Sequence, residues 1–172
     1  MKQLFISLLL GVTLVGGLVG CGNKTAVEDK EVNTPIAEEL EETEEEKIEY
    51  VINIVNKTFN EIDNELNSTG GNFLTSTKVF YEENTRTIQV VQTVTSITEI
   101  TDEEFVMAYK FGNSDSLFES FNSNCLFEYE QVKELVDLKE LKNINIVITQ
   151  NQGDYKIYEI KNGVETYRIT QQ

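Results

Sequence analysis

Apolar residues at Ile48, Val51 or Ile52, Val55, Phe59, Ile62 and Leu66 recur at alternating spacings of three and four. That is the period of one face of an α-helix, and it predicts an amphipathic helix over residues 46–68. Ser68-Thr69-Gly70-Gly71 ends it. The opposite face carries Glu49, Asn53, Asn56, Asn60, Asp63, Asn64 and Asn67. Asparagine is a middling helix former, so this helix must draw its stability from tertiary packing rather than propensity. The amides also offer groups to a glycan or protein partner, although compositional drift is the simpler reading.

The period then changes. Thr75 to Glu82 and Thr87 to Ile97 are rich in Val, Ile, Thr, Phe and Tyr and flank Glu83-Asn84-Thr85-Arg86, which predicts a β-hairpin with a four-residue connection. On that register Val79 faces Val90 and Tyr81 faces Ile88, and this apolar side belongs against the first helix. The other side shows Lys78, Phe80, Gln89 and Val91.

Thr101-Asp102-Glu103-Glu104 has the form of a capping box, with Ile100 and Phe105 placed as a hydrophobic staple. It predicts a helix from Asp102 to Lys110, though Phe105 to Phe111 also fits a strand. Gly112-Asn113-Ser114-Asp115 breaks the segment. Ser116 with Glu119 caps a short helix through Phe121, and Glu128 to Leu141 reads as a further helix. Ile144 to Gln150, Tyr155 to Lys161 and Val164 to Thr170 predict three strands, the last two joined by Asn162-Gly163, a type I′ hairpin signal. A two-residue turn there sets Lys161 opposite Val164, Ile160 opposite Glu165 and Tyr158 opposite Tyr167. The two tyrosines would then share the core side with Ile160 and Ile169.

The expected class is α+β: a long N-terminal helix, a β-hairpin, a helical middle and a C-terminal three-stranded antiparallel meander, with helices packed on one face of the sheet.

The start of the chain follows a different pattern. Lys2 precedes an apolar run from Leu4 to Val19, the charged start and hydrophobic middle of an export signal. The run ends in Leu18-Val19-Gly20-Cys21. Leu at the third position before a cysteine, a small residue immediately before it and the cysteine itself resemble the signal of the bacterial lipoprotein class. The resemblance implies that residues 1–20 are removed and that Cys21 carries diacylglyceryl and further palmitate-type acyl chains. Two chains are what stable anchoring takes. The apolar run is short for a bilayer that needs about 20 residues, and glycines crowd its end, which disfavours an uncut spanning helix.

Residues 21–46 are polar and acidic, with Pro35 and seven glutamates between Glu38 and Glu46. They cannot bury apolar surface and read as a solvated, self-repelling tether ahead of a single domain over residues 47–172. The net charge of −16 becomes −17 once Lys2 leaves with the signal. Such a charge excludes nucleic acid as a partner and repels anionic lipid headgroups.

The chain has no histidine and two cysteines, one of them Cys21, so Cys125 lacks an intrachain partner. Histidine-dependent triads, Cys/His dyads and Cys or His zinc sites are thereby excluded. Cys125 reads as a small buried apolar residue rather than a reactive thiol. Asn113 with Asp115 and Asn151 with Asp154 place oxygens near one another, but neither continues into a calcium loop, and both read as turns. Neither Ser-x-x-Lys nor Gly-x-Ser-x-Gly occurs.

No catalytic, cofactor or metal site emerges. The expectation is a lipid-anchored, extracytoplasmic, non-enzymatic binding or interaction module of the cell envelope, with an envelope protein or glycan as partner. A carboxylate-dependent envelope hydrolase and a purely structural envelope lipoprotein are the alternatives.

Overall fold

The computed structural model describes residues 42–112 and 115–169, all within one compact unit. The expected signal segment, Cys21, most of the expected tether, Asn113 and Ser114 lie outside the described residues.

Helix α1 (Glu44–Ser68) opens with a complete capping box. The Thr43 hydroxyl accepts from the Glu46 amide at 3.2 Å, and Glu46 accepts from the Thr43 amide at 2.8 Å. The last glutamates of the acidic run thus form the first helical turn, where negative charge meets the positive end of the helix dipole. Ile48, Val51, Val55 and Phe59 are its buried positions. Each contributes roughly 1.5–3 kcal/mol on full burial, and they compensate for the weak propensity of the asparagines.

Strands β1 (Phe73–Glu82) and β2 (Thr87–Ser96) form the expected hairpin, with Val79 opposite Val90 and Tyr81 opposite Ile88. A single 3-10 turn and Arg86 in the left-handed region at φ 50° close the connection. Two of the asparagines have structural partners here. Asn67 accepts from the Thr75 amide at 2.7 Å and donates to the Thr75 carbonyl at 2.9 Å. Asn56 donates to the Val79 carbonyl at 3.2 Å. Since β1 is an edge strand, these amides satisfy backbone groups that would otherwise be open to pairing with another chain.

Thr101 caps α2 (Asp102–Phe111) with a second full capping box, so residues 105–111 are helical. The helix/strand ambiguity resolves because the cap fixes the first turn and Val106 is buried as the inward contact. The staple takes another form: the Phe105 ring packs edge-on to Phe73 at 5.0 Å, and Ile100 stays exposed.

A single helix α3 (Asp115–Leu138) replaces the two short helices expected from the sequence. Residues 122–127, left between those two helices, continue the helix. In the fold Asn122 turns inward to the Tyr158 hydroxyl at 2.9 Å, and Ser123 donates back to the Glu119 carbonyl at 2.9 Å. Cys125 is fully buried one turn further on.

The C-terminal strands β3 (Asn145–Gln152), β4 (Tyr155–Lys161) and β5 (Val164–Arg168) are antiparallel neighbours, but they do not form a separate meander. They join the hairpin in one mixed five-stranded sheet of order β1-β2-β3-β4-β5, in which β2 and β3 run parallel. The α2–α3 connection is long enough for the crossover a parallel pair requires. It brings Ile88 and Val90 beside Ile146 and Ile148 in one apolar layer.

Asn162 at φ 49° and Gly163 at φ 78° make the expected tight turn between β4 and β5. The expected Tyr158–Tyr167 pair does not form. A register shift next to Ile160 places Tyr158 opposite Arg168 and Tyr167 opposite Glu159. One extra residue in β5 reverses every side chain beyond it. Tyr158 is therefore fully buried, while Tyr167 is exposed and beside Glu159.

The three helices share one core cluster with one side of the sheet.

Candidate functional site

Beneath the helices the sheet changes from apolar to polar along β2 and β3. After Ile88 and Val90, β2 presents Gln92; after Ile146 and Ile148, β3 presents Gln150 and Gln152. The parallel register sets Gln92 beside Gln150, and the Gln150 side-chain amide donates to that of Gln92. Gln92 in turn donates to Glu128 of α3 at 2.9 Å. The second carboxyl oxygen of Glu128 is buried without a hydrogen-bond partner among the described residues.

Burial pushes the Glu128 carboxyl up to about 7; nearby Asp63 of α1 adds to the rise, and the Gln92 bond opposes it. Three residues earlier, burial pushes the Cys125 thiol up to about 12. It is a thiol at neutral pH, without the thiolate that nucleophilic chemistry uses.

A second polar group surrounds Tyr158. Its hydroxyl donates to Glu165 at 2.8 Å, with the Asn122 oxygen 2.9 Å away. Burial, followed by the bond to Glu165, pushes the phenol up to about 12. Arg168 donates to the same Glu165 at 2.8 Å, and its guanidinium lies 4.9 Å from the centre of the Phe118 ring. The Arg168 bond, ahead of the others, holds the Glu165 carboxyl below the usual range.

A cleft of about 380 Å³ lies between α2 and the outer strands. One wall is a single face of α2: Glu103, Val106, Met107 and Lys110 follow one another at helical spacing. The facing wall combines Asp154, Tyr155 and Lys156 at the start of β4 with Tyr167, Arg168 and Ile169 at the end of β5.

What fixes the two walls is a clamp at the β3–β4 turn. Asp102, the first residue of α2, accepts from the Ser96 amide at 2.8 Å and from the Gln152 side chain. Gly153 donates its amide to the Val94 carbonyl at 2.8 Å and sits at φ 54°. A Cβ there would meet Asp102 Oδ2 at 2.6 Å, so glycine permits the close approach of turn and helix.

Cys21, the expected lipidation residue, lies outside the described residues. Asn113 does too. Asn151 falls within β3 and Asp154 in the turn after it, and Asp154 lines the cleft rather than a ligand loop. Among the described residues no three acidic or thiol side chains are grouped to hold a metal ion. None of their helices is long and apolar enough to cross a membrane.

The cleft brings together Lys110, Lys156 and Arg168, which sequence reasoning did not connect. They lie on three elements, and only the crossover and the β5 register shift make them neighbours. The one local hint was Lys110 in the last turn of a capped helix.

Comparison with protein-family models, with curated proteins and with solved structures finds no match.

Proposed function

We propose that this chain is a membrane-anchored lipoprotein on the extracytoplasmic face of a cell envelope, and that its compact unit is a non-enzymatic binding module. Residues 1–20 act as the signal, Cys21 carries the acyl chains, and the acidic residues after it form the tether. Support for the anchor is the Leu18-Val19-Gly20-Cys21 sequence at the end of a short apolar run. Folded structure that begins within the last glutamates of the acidic run suits a tethered display.

The observation that carries the binding half is the cleft between α2 and the β4–β5 edge. Its carboxylates, Glu103 and Asp154, are exposed, and neither half-buried Glu128 nor buried Cys125 lines it. It offers charge, hydrogen-bond donors and ring surface for recognition, without a buried acid or nucleophile at its wall.

Mass spectrometry of the membrane-associated protein tests the anchor. The expected mass is that of a chain beginning at Cys21 plus acyl chains, lost with membrane retention in Cys21→Ala. An unmodified N-terminus overturns it. For the binding half, the mature chain immobilised through its tether should retain a specific envelope protein or glycan. Equal retention by Lys110→Gln/Lys156→Gln would exclude the cleft as the binding surface.

A further inference from the structure

We propose that the cleft between α2 and the β4–β5 edge takes a small organic anion, a carboxylate or phosphate on a ring or apolar body, with Lys110 as its principal anchor. This deepens the binding-module reading and rests on it, but not on the lipid anchor.

The argument begins with charge. A chain of net charge −16 repels anions over most of its surface. On the walls of this cleft Glu159 and Glu165 already neutralise Lys156 and Arg168, and Lys110 is the lining cation left to face an anion, with Glu103 and Asp154 as the remaining lining carboxylates. The three cations come from α2, β4 and β5, so they converge through the fold rather than through a local run of sequence.

The charges are also ordered. The clamp between Asp102 and Gly153 holds the start of α2 over the β3–β4 turn, which puts Glu103 and Asp154 at that end. Lys110 is seven residues further along the same helical face, about 10 Å at 1.5 Å per residue. An anionic group therefore belongs at the Lys110 end, away from the carboxylates.

Availability distinguishes the cations. Lys156 already donates to Glu159 at 2.5 Å, and Arg168 is held by Glu165. Lys110 has no ion pair among the described residues. Lys156 and Arg168 are thus neutralised by their own carboxylates, and Lys110 supplies the direct partner, since charge-assisted hydrogen bonds are roughly twice as strong as neutral ones.

The remaining walls describe the body of the ligand. Val106, Met107 and Ile169 supply apolar surface, and Tyr155 and Tyr167 stand exposed at the rim. Tyr167 is already faced by Lys156, 5.4 Å from its ring centre. The volume lies at the lower end of the roughly 300–1,000 Å³ usual for small-molecule sites, so the occupant is small.

The test uses the mature chain in neutral detergent micelles, uniformly labelled with ¹⁵N and titrated with benzoate, phenyl phosphate and, as the neutral counterpart, benzamide. Saturable shifts of the Lys110, Tyr155, Lys156 and Tyr167 amides by one of the anions, at least about tenfold weaker with benzamide, are expected. Preference between benzoate and phenyl phosphate tells carboxylate from phosphate.

Lys110→Gln should weaken the anion about tenfold, and Lys142→Gln, a lysine of a separate shallow groove, should leave it unchanged. Equal binding of benzamide, equal loss in both variants, or no saturable shift in the cleft would each overturn the proposal. An unacylated Cys21 would leave all these results unaffected. Specific capture of an envelope partner that survives Lys110→Gln/Lys156→Gln would keep a binding module and reject this cleft.

Discussion

The Gln92 side chain of β2 donates a 2.9 Å hydrogen bond to Glu128 of α3, leaving the other oxygen of that carboxyl buried and without a partner among the described residues. The pair sits between the sheet and two helices, where Asp63 adds negative potential. Burial makes ionisation of Glu128 unfavourable, so the folded state prefers the protonated acid.

A defined pH dependence follows. The folded value, about 7, exceeds the ordinary 4.5, so between these the folded state holds the proton more strongly than the unfolded chain. The stabilising effect is complete below the ordinary value and is lost as pH rises through about 7, up to roughly 3 kcal/mol. Urea unfolding at pH 5 and pH 8 should show wild type losing stability over that interval relative to Glu128→Gln. Parallel profiles would refute the assignment. Glu46, Glu104 and Glu165 shift downward and act in more acidic solution, so they leave this window clear.

Asn67 and Asn64 lie three residues apart on the same helix, yet only Asn67 reaches the β1 edge. Replacing Asn67 by Ala removes two hydrogen bonds to Thr75 and should cost about 1–2 kcal/mol. The exposed Asn64→Ala should stay within about 0.5 kcal/mol. Chemical denaturation measures both. Faster hydrogen exchange of the Thr75 amide in the first variant alone would locate the loss.

Gly153 and Gly70 both have positive φ, 54° and 69°, but differ in their surroundings. Gly70→Ala meets no atom within 4 Å and should cost about 1–2 kcal/mol from backbone strain alone. Gly153→Ala adds a collision with Asp102 and should cost clearly more, with displacement of the β3–β4 turn. Thermal melts rank the two variants, and amide shifts along α2 report whether the clamp opens.

Tyr158→Phe removes the hydroxyl bonded to Glu165, leaving Asn122 and Glu165 short of a partner, and should destabilise by about 1–3 kcal/mol. Tyr167→Phe, at an exposed ring, should be nearly neutral. A reversed order would mean that the β4–β5 register runs straight through, as the turn residues alone would have it.

Element type was largely legible because periodicity is local. The three-and-four spacing of α1, both strands of the hairpin, the Thr101 box and the Asn162-Gly163 turn all express short-range constraints, and each reappears in the fold. The separation of a helix ending at Phe121 from one starting at Glu128 failed for the opposite reason: Asn122, inside the continuous helix, meets Tyr158, 36 positions away. Likewise the asparagine density of α1 read as compositional drift, whereas β1 supplies partners for Asn56 and Asn67.

The amino-acid order by itself determined the type of most elements and their tight turns, since these depend on neighbours along the chain. Tertiary structure alone decided that hairpin and C-terminal strands share one sheet and that Glu128 is buried beside Gln92. It also decided that Lys110, Lys156 and Arg168 line a common cleft. Those outcomes depend on a parallel crossover and one residue of register in β5, and neither leaves a local mark, because pairing partners are chosen by what lies across the sheet.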